Sequence, residues 1–214
     1  MRRLLLLIAF ALAFAPATFA QDYSDWEFYV GYAHERANNG ADRLDTTARR
    51  ILPNGSTAPV DFRSRRVPHN RVVGEVVANV HPNIGIVVNF AATFANTNFV
   101  DNLSGRSFNA KLQRYTLLVG PRFNWRNSSP LIPYAHALFG AMHYHAKFPN
   151  NDIACGSGGN SRDETAFAMG FGGGLDIRAG RHVDIRAGEI DYIPVFFSHK
   201  REDNLRFSAG VKIK

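Results

Sequence analysis

The chain has 214 residues, enough for one domain or slightly more, and its 45% hydrophobic and 20% charged content excludes a disordered acidic tail or a low-complexity polymer. A single Cys excludes an internal disulfide framework and a multi-cysteine zinc site. The net charge of +7 raises the question of nucleic acid. The arginines are dispersed along the chain, however, and an export signal precedes them, so anionic lipid headgroups are the better partner and no nucleic-acid role is expected.

Residues 1–20 read as that export signal. Arg2 and Arg3 are followed by an unbroken apolar stretch from Leu4 to Ala15, then Pro16, and then small residues at Thr18 and Ala20 before Gln21. A charged start, a short apolar middle and a small-residue end define a secretory leader, and the apolar stretch is too short to cross a bilayer, which needs ~20 residues. No Cys stands at the cleavage point, so a lipoprotein is not expected. Without the leader the charge falls to +5, from 23 basic and 18 acidic residues.

Beyond residue 20 the dominant period is two, the mark of strands with two unlike faces. Trp26, Phe28, Val30 and Tyr32 alternate with Glu27, Tyr29, Gly31 and Ala33. Val72, Val76 and Val80 oppose Glu75 and Asn79. Ile84, Ile86, Val88, Phe90, Ala92 and Phe94 form one face of the next segment, and Tyr115, Leu117, Val119 and Phe123 one face of the fourth. Residues 131–145 form a strand with Tyr134, His136, Leu138 and Gly140 on its polar side. Phe167, Met169, Phe171, Leu175 and Ile177 follow, then 183–192, where the alternation slips and a bulge near Ala187–Glu189 restores it. Leu205, Phe207, Ala209, Val211 and Ile213 close the count at eight strands.

The links between strands alternate in length. Those at His81–Asn83, Asn124–Pro130 and Ala179–His182 are short, whereas Asn38–His69, Ala95–Ala110, Ala146–Glu164 and Pro194–Asp203 are predicted to be long loops. Short turns at one end and long loops at the other, with an even strand count, describe an antiparallel transmembrane β-barrel of the outer-membrane type. The faces opposite the apolar ones are rich in glycine with isolated charges, as the narrow interior of an eight-stranded barrel requires. A lipocalin-type soluble barrel, with apolar residues inside, is the rival.

The segments Tyr115–Phe123 (YTLLVGPRF), Pro133–Ala141 (PYAHALFGA), Phe171–Arg178 (FGGGLDIR), Asp184–Tyr192 (DIRAGEIDY) and Asn204–Val211 (NLRFSAGV) resemble the outer membrane protein beta-barrel domain family. These are small barrels similar to the transmembrane part of OmpA-type porins, and the resemblance implies a domain over residues 21–214 in the cell outer membrane. It also implies folding by the barrel assembly machinery. Such barrels usually end on an aromatic residue, and this chain departs from that pattern by ending Lys212-Ile213-Lys214.

Candidate functional residues fall into several groups. Arg114, Arg122, His136, Asp176, Arg178, Arg186, Glu189, Asp191 and Arg206 occupy polar-face positions and are predicted to pair in the lumen, since unpaired charges in a dry interior are costly. Arg49, Arg50, Arg63, Arg65 and Arg66, with Arg43, give the first long loop a basic excess over Asp42, Asp45 and Asp61, suited to phosphate of the lipopolysaccharide surface. His143 and His145 share a strand face, but no carboxylate or Cys is spaced in sequence to complete a metal site. Ser198, His199 and Glu202 are hydrolase ingredients, yet adjacent residues on one loop diverge, so no enzyme is expected. The glycines at 170–174 lack nucleotide-loop spacing, and Cys155 is a lone thiol. The expected function is a structural or surface-interaction barrel, monomeric and without a cofactor. A narrow porin-like channel is the alternative, and a lipid-modifying deacylase-type barrel comes third.

Overall fold

The computed structural model describes residues 23–38, 48–63, 66–150, 152–155, 159–197 and 201–214. The leader predicted at residues 1–20 lies outside them, as do Asp42, Arg43, Asp45, Arg65, Ser198 and His199. Among the described residues eleven strands form: β1 (Trp26–Asn38), β2 (Ala48–Ile51), β3 (Thr57–Pro59), β4 (Arg66–His81), β5 (Ile84–Val100), β6 (Ser107–Asn124), β7 (Leu131–Lys147), β8 (Ile153–Cys155), β9 (Ser161–Arg178), β10 (Val183–Phe196) and β11 (Arg201–Ile213). Eight of them close an antiparallel barrel in the order β1-β11-β10-β9-β7-β6-β5-β4. β1 seals it, pairing Val30 with Val211 of β11 on one side and with Gly74 of β4 on the other. The expected bulge is present: the register of β10 shifts between Arg186 and Glu189 against β11, and between Arg186 and Gly188 against β9.

The two faces of this sheet reverse the order of a soluble protein. Phe94 and Trp125 are each 65% exposed, whereas Arg114 and Arg186 are fully buried. Lys, Arg, Asp and Glu are rarely interior, and a wall of exposed aromatic and aliphatic side chains needs an apolar surrounding. The outward positions of residues 84–94, 115–123, 131–141 and 167–177 carry no charge at all. Each run matches the 9–11 residues that a tilted strand needs to cross a bilayer. The charged interior excludes the lipocalin arrangement.

Strands extend into all four of the predicted long loops. β5 and β6 run past the apolar band to Val100 and from Ser107, so their hairpin is only residues 101–106. β7 and β9 likewise reach Lys147 and start at Ser161, and the segment 38–69 contains β2, β3 and the start of β4. Beyond the bilayer the outward face meets water, so Asn96, Asn98 and Gln113 continue the strands without the apolar alternation that marks them lower down.

Above the band sits a feature that the period of two does not reveal. β3, β2 and β8 form a separate three-stranded sheet, in which Arg49↔Pro59 pairs β2 with β3 and Arg49↔Ala154 joins the first extracellular segment to the third. Beneath it Phe62 packs against Phe99, Phe108 and Phe148, with ring centroids 5.2, 6.0 and 6.0 Å away. Val60, Ile153, Cys155 and Phe197 join this buried cluster, which continues down one interior wall through Met142, Leu138 and Leu118 to Val87 and Val77. Asp101 fastens the cap from the side: its carboxylate accepts the Asp61 and Leu103 backbone N–H groups at 3.0 and 3.2 Å and the Ser104 hydroxyl.

Candidate functional site: the filled lumen

Inward positions alternate along every barrel strand, so charged residues spaced by two in sequence are stacked along the axis. At the periplasmic end Lys212 on β11 reaches three carboxylates: Asp176 at 2.9 Å, Glu27 at 3.0 Å and Asp184 at 3.2 Å. Lys214 holds the other Asp184 oxygen at 2.7 Å. Arg126, from the turn after β6, closes this tier from below, donating to Glu27 at 2.5 Å and to the Pro82 carbonyl. Burial lowers the Arg126 guanidinium from its ordinary pKa, and Glu27 opposes that effect.

The middle tier is centred on Arg186. Its Nη1 donates to Glu75 at 2.7 Å and Glu189 at 2.5 Å, and its Nε donates to Asp176 at 3.0 Å. The guanidinium lies 3.8 Å over the Tyr29 ring and 4.7 Å from that of Tyr134. Arg122, 3.6 Å from the Tyr134 ring, adds a 2.6 Å bond to Asp176. Tyr134 donates its hydroxyl to Glu189 at 2.5 Å. On the far side Asp191 pairs with Arg206 at 2.6 Å and with His136 at 2.9 Å. Arg206 then reaches Asn89 at 3.1 Å, and Asn89 donates to Glu75 at 2.7 Å, which links the two halves.

The upper tier is Glu35 with Arg71 at 2.5 Å and Arg114 at 3.8 Å, under the phenylalanine cap. Close approach sets the local sequence: a Cβ on Gly172 would overlap the Asp191 carboxylate, so only glycine fits opposite that pair.

Of the nine residues expected in the lumen, eight are buried there and linked as described. Arg178 is the exception: as the last residue of β9 it lies half-exposed at the periplasmic mouth. Tyr29, Glu27, Glu35, Arg71, Glu75, Asn89, Tyr134, Asp184 and Lys212 belong to the network but are not among the residues expected to pair there. Their inward parity was the available signal, since Glu27 lies between Trp26 and Phe28, and Lys212 between Val211 and Ile213.

The loop residues scatter. Arg49 and Arg50 lie on β2, Arg49 exposed and Arg50 half-buried, while Arg63 bonds Asn102 at 3.3 Å. Arg66 begins β4. Glu202 of the suspected hydrolase group points inward and is buried. Burial pushes the Cys155 thiol up, against the nearby Arg162. Strand pairing brings to His143 and His145 a carboxylate that their spacing in sequence does not supply. Asp163 on β9 stands opposite His145 and accepts its Nδ1–H at 2.6 Å, with His143 Nε2 at 3.6 Å.

Glu75, His136 and Glu189 have potential metal-ligand atoms within 4.8 Å of one another. Arg186 already bridges both carboxylates with one nitrogen, so the protein's own cation occupies the place of a metal.

Comparison with curated protein sequences returns no significant match. Among solved structures, the crystal structure of Neisserial surface protein A aligns with a TM-score of 0.58 at 15% identity, covering 89% of this chain and 97% of that one. The outer membrane protein OprG of Pseudomonas aeruginosa gives 0.52 at 12% identity, covering 90% and 96%. At these identities the likeness concerns the fold. The family profile reaches further, matching residues 4–213, and the chain belongs to the outer membrane protein beta-barrel domain family.

Proposed function

We propose that this outer-membrane barrel is a closed scaffold, with a structural and surface-contact role carried by its extracellular cap. One observation supports the reading most: side chains fill the lumen from Lys212 at the periplasmic mouth, through Arg186, to Arg71 and Phe62 at the top, each of them at most 2% exposed. Ion flow needs a continuous water path, and an eight-stranded barrel has an interior that side chains can fill. In this reading the chain is exported by its leader, inserted by the barrel assembly machinery, monomeric and not an enzyme.

Planar-bilayer recording tests the reading. The purified full chain is expected to leave a bilayer electrically silent. Stepwise, ohmic openings at neutral pH would instead establish the narrow porin-like channel. A mass shift in lipid A on expression would establish the deacylase-type alternative.

A further inference from the structure

Strand register places a row of polar groups on the outward face, just above the apolar band. Asn96 on β5 pairs with Lys111 on β6, Lys111 with Lys147 on β7, and Lys147 with Ser161 on β9. Both lysines are exposed, and among the described residues neither has an ion-pair partner. Residues directly opposite across a strand pair have Cβ atoms about 4.5–5.5 Å apart, and like charges there are destabilising. The outward carboxylate of Asp163 stands one row below, bonded to His145 at 2.6 Å and 3.6 Å from His143, and forms no ion pair with either lysine. Two facing ammonium groups flanked by neutral donors form a site for a doubly charged anion.

The rows beneath decide the rest of the ligand. Phe94 stands edge-on to Tyr115 with centroids 5.9 Å apart, and a depression of about 170 Å³ opens between Phe94, Asn96, Lys111 and Gln113. The next two rows continue polar on the β7 and β9 side, through His145 and Asp163 and then His143 and Thr165, and only below them do Phe90, Leu117, Ala141 and Phe167 share a wholly apolar row. A head carrying phosphate and a body made of hydrocarbon match this sequence of rows, whereas a soluble phosphate uses only the first.

We propose that this face docks a phosphorylated glycolipid of the outer leaflet. One phosphate sits between Lys111 and Lys147, and the acyl chains lie over Phe94, Tyr115 and Leu117. The proposal rests on the membrane-spanning reading above, and it locates the lipid on the barrel wall rather than on the arginines of the first loop.

The test uses the full chain in phosphatidylcholine liposomes, with diphosphoryl lipid A as the probe. Retained lipid is read by native mass spectrometry, and melting by heat-modifiable gel migration. K111Q/K147Q is expected to weaken lipid A retention by about tenfold or more, the factor corresponding to ~1.4 kcal/mol of lost contact. Without lipid A, the same variant is expected to melt above the wild type, because the facing charges are gone. K111R/K147R should retain the lipid, as should R49Q/R63Q.

Unchanged retention by K111Q/K147Q overturns the proposal, as does a variant that melts below the wild type in phosphatidylcholine alone. Full replacement of lipid A by phosphatidylglycerol, by lipid A without phosphates or by inorganic phosphate overturns it too. A wild-type chain that does not enter liposomes defeats the membrane reading itself, a separate result from loss of lipid A in an inserted barrel.

Discussion

Replacing Arg186 with Ala tests the electrostatics of the lumen at its centre. The change removes the cation from Glu75, Glu189 and Asp176 together. The three are not equally dependent on it. Asp176 keeps Arg122 at 2.6 Å and Lys212 at 2.9 Å, and Glu75 keeps Asn89 at 2.7 Å. Glu189 keeps the Tyr134 and Ser208 hydroxyls, and its next cation, Arg206, stands 3.9 Å away. Removing one partner from a buried ion pair costs about 3–5 kcal/mol, because the remaining charge stays in a medium that solvates it poorly. At roughly 2–4 °C per kcal/mol for a chain of this size, the barrel should melt about 6–20 °C lower. The assay is thermal unfolding in detergent, followed by the fluorescence of Trp26 and Trp125 and by gel mobility. If the penalty is the orphaned carboxylate, Glu189→Gln should raise the melting temperature of Arg186→Ala while lowering that of the wild type. Melting of Arg186→Ala within about 2 °C of the wild type refutes the reasoning, as does a Glu189→Gln effect of equal size and sign in both backgrounds.

Other outcomes follow from the same geometry. Gly172→Ala is expected to cost about 1–3 kcal/mol, since its methyl group displaces the Asp191 carboxylate from His136 and Arg206, and the same melting assay reads it. Phe62→Ala should leave the membrane-embedded barrel folded but make residues 48–63 sensitive to added protease, because it empties the centre of the cap. Burial acts to raise the Asp101 pKa, but the Asp61 N–H and Ser104 hydroxyl bonds outweigh it and hold it below the ordinary 3.8. A folded pKa below the unfolded one means that its stabilisation is complete above pH ~4 and is lost as pH falls through the folded value. Protease sensitivity of the cap should therefore rise under acid, and Asp101→Asn should show that sensitivity already at neutral pH. The raised and buried Cys155 thiol should alkylate slowly in the folded protein and rapidly once boiled in detergent.

The barrel was legible in the sequence because the bilayer imposes a strict period. Trp26 to Tyr32 or Leu205 to Ile213 cannot place a charge outward without exposing it to hydrocarbon, and the bulge at Arg186–Glu189 showed as a slip in that pattern. The rule stops where the lipid stops. Past Phe94 and Tyr115 both faces of the strands are free to be polar, so residues 95–100 and 107–110 read as loop although they are paired. The cap was hidden for a different reason. Phe62, Phe99, Phe108 and Phe148 come from three separate segments, and only the closed topology brings them together. The same is true of the ion pairs. Inward parity identifies Glu75 and Arg186 as interior residues, but a contact between residues so far apart in sequence depends on barrel closure and strand stagger. His143, His145 and Asp163 illustrate the converse case, in which register supplies the carboxylate that local spacing lacked.

Cysteine accessibility tests most directly whether the interior is dry and sealed. With Cys155 replaced by Ser, single substitutions Ala91→Cys and Ser208→Cys place small thiols at inward positions that are 0% and 6% exposed. Val119→Cys places one on the outward wall. In intact liposomes a charged, water-soluble methanethiosulfonate should leave both inward thiols unmodified until the barrel is unfolded, while a membrane-soluble maleimide reacts at position 119. Labelling of positions 91 and 208 by the aqueous reagent at the rate of an exposed thiol would mean that water fills the lumen, and would contradict the account.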